Sequence, residues 1–148
     1  MADSHIKFGW VRGGKVSAPS TWAAGSDVLV NTGGKFVIKS GIGVAIATDG
    51  SNEILGHAED GARTTVAADA VNIIVDPSAV YRIPINSGTY SHAMQFDTCD
   101  LGVTSNVQGA NLAAADDDVF IIVDGDVSGQ AWVEVMLNQN ERGQAGVV

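Results

Sequence analysis

Cysteine is almost absent from this 148-residue chain: Cys99 stands alone, so no disulfide can form within the chain and nothing indicates an oxidising compartment. Cations are scarce as well. Eight Lys and Arg against 17 Asp and Glu leave a formal charge of -9, which repels a nucleic-acid backbone and argues against DNA or RNA as a direct partner. No apolar run reaches the ~18 residues of a membrane-crossing helix, and the start, MADSHIKFGWVRGGK, lacks the apolar core of a signal peptide. The expectation is a protein without a membrane partner, made in a cytoplasm. Helical periodicity is missing too, because no window repeats apolar residues at i, i+3, i+4 and i+7 for three turns. The best helical candidate, NLAAADDD at 111–118, gathers its acids where a helix C-terminus carries negative partial charge, so a turn or less is expected there.

What is abundant is glycine, 18 of 148 residues, and with it come short apolar runs rich in β-branched residues. VLVN at 28–31, KFVIK at 35–39, GVAIAT at 43–48, VNIIVD at 71–76, VYRIPI at 80–85, VFIIV at 119–123 and AWVEVML at 131–137 read as strands. Breakers such as NTGGK, TDGSN, VDPSA and NSGT separate them. The pattern predicts an all-β chain, an antiparallel sandwich or barrel of roughly eight to ten strands, with an extended N-terminal arm. In domain terms this gives an arm at 1–27, a β domain at 28–138 and a flexible tail at 139–148. The arm mixes Gly, Ser and Ala with Phe8, Trp10 and Trp22, aromatic surface that is costly to leave in water. It therefore packs on something, either its own barrel or another subunit.

The stretch DGDVSGQAWVE at 124–134 spaces Asp124, Asp126 and Ser128 like the start of a calcium loop. Its register is wrong by one residue, since the twelfth position is Val135 and the acid, Glu134, falls at the eleventh; its flanks have strand propensities where that motif needs helices. The expected role is a hairpin connection, with Gly125 and Gly129 supplying positive φ and Asp124 or Asp126 capping backbone amides. Alternation along AWVEVML places Trp132, Glu134 and Met136 on one face and Val133, Val135 and Leu137 on the other, which puts Glu134 on a solvated or subunit-facing surface. His57, Glu59 and Asp60 read as a strand ending in a charged turn rather than an acid/base cluster. His5 and His92 are isolated, and no G-x-S-x-G elbow or phosphate-binding G-x-x-x-x-G-K-[ST] loop occurs. Cys99, between Asp97 and Asp100, is expected to have a raised pKa and a structural role. Neither an enzyme, nor a metal site, nor any other cofactor is predicted.

Three stretches, VAIATDGSNEILGHAEDGARTT, DAVNIIVDPSAVYRIPINSGTYSHAMQFDTCDL and SNVQGANLAAADDDVFIIVDGD, together resemble the small capsid decoration, or cement, proteins of tailed bacteriophages. The shared features are an A-T-D-G-S-x-x-I-L-G segment, a Y-R-I-P segment, a glycine turn and a late strand entering the last hairpin. The resemblance covers roughly residues 43 to 137 and consists of turns and strands rather than a chemical signature. It implies a β-rich homotrimer on the outside of a virion, bound to the major capsid protein and bridging neighbouring capsid subunits against internal DNA pressure, without catalysis. In such a protein the arm residues Ile6, Phe8 and Trp10 would be the apolar anchors, with Lys7 and Arg12 meeting acidic groups on the shell or on a sibling subunit. The alternative is a ligand-binding β module, for carbohydrate or with calcium, that uses Trp22, Tyr81, Tyr90 or Trp132 as a stacking platform.

Overall fold

The computed structural model describes residues 7–23, 34–49, 51, 53–58, 67–105 and 107–138. Within these the chain is all-β, twelve strands in two sheets with a single 3₁₀ turn at His92–Met94. The strands are β1 (Gly9–Arg12), β2 (Ser17–Thr21), β3 (Lys35–Ser40), β4 (Gly43–Ile46), β5 (Gly56–Ala58), β6 (Ala70–Ile74), β7 (Val80–Ile83), β8 (Ile85–Ser87), β9 (Thr98–Thr104), β10 (Val107–Asn111), β11 (Phe120–Gly125) and β12 (Val133–Leu137). One sheet runs β1-β7-β12-β11-β9-β10-β8 and the other β2-β6-β5-β3-β4. All pairings are antiparallel except that of β8 with β10.

Six of the seven apolar runs form strands where the alternation and β-branching place them; the seventh, VLVN at 28–31, lies outside the described residues. One run is divided. VYRIPI breaks at Pro84, which has no N–H to give to a ladder, so the chain leaves β12 after Ile83 and resumes beside β10 as β8. The Pro84 carbonyl still accepts the Ala110 N–H, at 2.9 Å. NLAAADDD supplies the end of β10 and then turns, without helix.

Two cores result from the five-stranded sheet burying both of its faces. Phe36, Ile54 and Ile74 point toward Tyr81, Leu101, Phe120, Ile122 and Val135 of the seven-stranded sheet. Val37, Val44, Ala58, Val71 and Ile73 point the other way and close around Trp22, which is 1% exposed. Trp22 bridges Val44 across the gap between β2 and β4, so the five-stranded sheet curls toward closure around the indole. At roughly 25 cal/mol per Å² of apolar surface, one buried tryptophan contributes several kcal/mol to that second core.

A polar strut crosses between the sheets. Gln108 of β10 is buried, its Oε1 accepting the Phe36 N–H at 2.7 Å while its Nε2 donates to the carbonyls of Phe36 (3.1 Å) and Ala47 (2.9 Å). With its amide oxygen and nitrogen both engaged, the side chain fixes the offset of one sheet on the other at little desolvation cost.

Candidate functional site

The N-terminal segment is where the sequence places its interface residues. Ile6 lies outside the described residues, and Lys7 is exposed. Phe8 is half-buried and borders a cavity of about 10 Å³, room for a single water, shared with Phe36, His57 and Arg82. From Gly9 onward the segment is built into the sheets, β1 pairing with β7 and β2 with β6 as edge strands.

A bulge in β1 decides which way its side chains face. Trp10 is opposite Tyr81 and Arg12 opposite Val80, so two steps on β1 match one on β7. Residues two apart, which would otherwise share a face, are thereby sent to opposite faces. Trp10 goes inward against the main core, its indole N–H donating to the Gly14 carbonyl at 3.0 Å, with the Lys15 ammonium 4.6 Å from the ring centroid. Arg12 goes outward, half exposed, and its guanidinium lies 2.5 Å from Glu134 Oε1.

Glu134 corrects the sequence reading. Alternation does put it on the outer face, but it is 2% exposed rather than solvated. Its register partner on β7 is Arg82, whose Nη2 and Nε donate to Oε2 at 2.6 and 3.1 Å. Trp132 stacks against the Arg82 guanidinium at 4.6 Å. The two arginines cover the carboxylate and neutralise it, and they offset the like charge of Asp124, its neighbour across β11. The acid that Arg12 meets is thus the chain's own.

The DGDVSG turn is held by its own acid. Asp126 Oδ1 accepts the Gly129 N–H at 2.9 Å and Oδ2 accepts the Ala131 N–H at 3.1 Å, bonds that hold its pKa below the ordinary carboxylate value. The positive φ expected at Gly125 and Gly129 is instead at Gln130, φ 54°. Gln130 tolerates it because its side-chain amide clasps the backbone of Tyr90, accepting the N–H at 2.7 Å and donating to the carbonyl at 2.9 Å. Gly125 is required for another reason: a Cβ there would sit 2.6 Å from the Tyr90 ring. The Tyr90 hydroxyl is buried, and its pKa is raised by burial and by Asp124.

Other polar groups are also turned inward. Asp100, 6% exposed, accepts the N–H groups of Asp116, Asp117 and Asp118 at 2.9 to 3.1 Å. His57 is buried between Phe36 and Tyr81, with ring centroids 4.8 and 4.7 Å away, and its pKa falls to about 3, mainly through burial and then through the Lys35 charge. Lys35, on the neighbouring strand, is lowered to about 8 by burial. Glu59 and Asp60 lie outside the described residues. Cys99 is buried and its thiol pushed up to about 12; burial outweighs the charges of Asp100 and Asp118. Sequence reasoning missed Asp100, Gln108 and Lys35, whose partners lie 16 or more residues away or on another strand; the only local hint was the DDD run that Asp100 caps. Of the proposed stacking aromatics, Trp22, Tyr81 and Tyr90 are buried, and Trp132 is occupied by Arg82.

No family model and no curated protein matches the chain.

Proposed function

We propose that this chain is a structural virion protein that binds the outer surface of a phage capsid as a homotrimer and stabilises the shell by bridging capsid subunits. The observation that carries the reading is the disposition of polar and apolar side chains. Glu134, Asp100, Gln108 and Asp126 are engaged in holding strands and turns, whereas Val16 (64% exposed), Ile42 (101%) and Phe96 (69%) stand out on connections. Fixed turns bearing apolar side chains suit lattice contacts, where weak burial at each copy is multiplied over many equivalent joints. The resemblance over residues 43 to 137 supports the same reading, since its Y-R-I-P segment is the β7–β8 switch and its late strand is β11. Lys7 and Phe8, ahead of the first strand, are the shell-facing residues of the segment, and Arg12 holds it to the domain through Glu134.

The test is light scattering of the purified protein with and without chelator, followed by co-sedimentation with empty capsids of its phage. A chelator-insensitive trimer that saturates those shells stoichiometrically supports the proposal, and truncation of residues 1–7, which leaves β1 intact, should weaken binding. A monomer that ignores the shells, or that loses stability when calcium is removed, overturns it.

A further inference from the structure

The turn that follows the 3₁₀ segment presents its aromatic side chain to solvent from a costly backbone conformation. Phe96 has φ 71°, a left-handed geometry that bulky residues rarely adopt, and is 69% exposed. The turn is laced to β11: the Phe96 N–H donates to the Ile122 carbonyl at 2.6 Å, the Ile122 N–H to the Asp97 carbonyl at 2.9 Å, and Gln95 Nε2 to the Val123 carbonyl at 3.0 Å. The aromatic ring is thus held out by a fixed support.

Both chain neighbourhoods of Phe96 border an open groove of about 310 Å³, lined by Met94, Asp97, Thr98, Leu112, Ala115 and Ile122. Met94, Leu112, Ala115 and Ile122 give it apolar surface, and Asp97 adds a carboxylate. Ala115 leads into Asp116, Asp117 and Asp118, whose N–H groups are gathered onto Asp100, and the Thr98 hydroxyl donates to Asp118 at 2.8 Å. The Asp117 carboxyl is raised above its ordinary value by desolvation and then by the charges of Asp100, Asp116, Asp118 and Asp49.

We propose that the Phe96 turn and the Met94–Leu112–Ile122 groove dock a polypeptide segment of a partner protein that carries an apolar side chain flanked by lysine or arginine. The apolar side chain fills the groove beside the Phe96 turn, and the cations meet Asp97 and the Asp116–Asp118 turn. Charge selects this occupant. A phosphate backbone or an anionic membrane is repelled by Asp97 and the adjacent Asp116–Asp118 turn, and a second copy of a chain with net charge -9 brings more acid than base. The site lies apart from β1 and shares with the capsid reading only the exposed Phe96.

The experiment is an NMR titration of the isotope-labelled full chain with the acetylated peptide amide Arg-Leu-Arg-Phe-Arg, alongside the same peptide with glutamate in place of arginine. Docking predicts shifts confined to amides around Met94, Asp97, Leu112 and Ala115, no response to the glutamate peptide, and loss of affinity of about tenfold in Phe96→Ser and in the Asp116→Asn, Asp117→Asn double variant. Because Phe96 is exposed, its replacement should leave the spectrum of the remaining fold unchanged; Phe96→Gly, which accepts the same φ, provides a second variant. No shift at millimolar peptide, shifts elsewhere, or equal binding of both peptides overturns the proposal. So does self-association that Phe96→Ser abolishes, which would make a second copy the occupant.

Discussion

Two buried carboxylates in the seven-stranded sheet are stabilised by different means. Glu134, on β12, is held by guanidinium groups from β1 and β7, at long sequence separation. Asp100, on β9, is held by three main-chain N–H groups of a single turn. Both are nearly inaccessible, so each needs charge compensation or hydrogen bonds equivalent to those lost from water. The difference is in what each fastens. Glu134 ties the N-terminal edge strand to the middle of the sheet through side chains that one mutation removes, whereas Asp100 shapes a loop through donors that no substitution except proline deletes.

The largest effect in this comparison is expected from Arg82→Ala, which leaves Glu134 buried with only the half-exposed Arg12; a loss of about 3–4 kcal/mol in urea unfolding is predicted. Replacing both partners by methionine should recover most of it, and a double variant as unstable as Arg82→Ala would show that the cost was not the stranded charge. Acid comes next, because burial and then the nearby Lys35 charge both disfavour the protonated form of His57. Its folded pKa of about 3 lies below the ordinary 6.5, so the unfolded chain takes up the proton first and stability falls as pH drops from about 6.5 toward 3. Between pH 7 and 4 the loss should be on the order of 3 kcal/mol, and His57→Leu should flatten that slope. Asp100→Ala is expected to cost about 2–3 kcal/mol, less than three separate bonds, because the freed amides of a surface turn can reach water; Asp100→Asn, which retains one acceptor, should cost about half of that. Arg12→Ala is the smallest, below about 1 kcal/mol, and its effect should shrink in high salt while that of Asp100→Ala does not.

Much of the fold was legible because strand signals are local. Alternation and β-branching located six runs, which hold seven strands because Pro84 divides one of them, and the glycine and aspartate punctuation located the turns between them. Missed strands such as β2, SAPST, and β10, VQGAN, carry little hydrophobic signal of their own and are strands because β6 and β9 supply their hydrogen bonds. The candidate site was less legible. Trp10 and Arg12 were marked as interface residues by their type alone, and the bulge that turns one inward and the other toward Glu134 has no signature in GWVR.

The sequence by itself determined that this chain is all-β and that DGDVSG is a turn capped by its own aspartate, since each follows from neighbours within a few residues. The tertiary structure alone decided that Glu134 is buried, that Gln130 rather than a glycine takes the positive φ, that Gly125 makes room for the Tyr90 ring, and that Trp22 fills a second core. Those outcomes depend on which strand lies beside which, and pairing is set by residues tens of positions apart whose charges and volumes meet only after the sheets have closed.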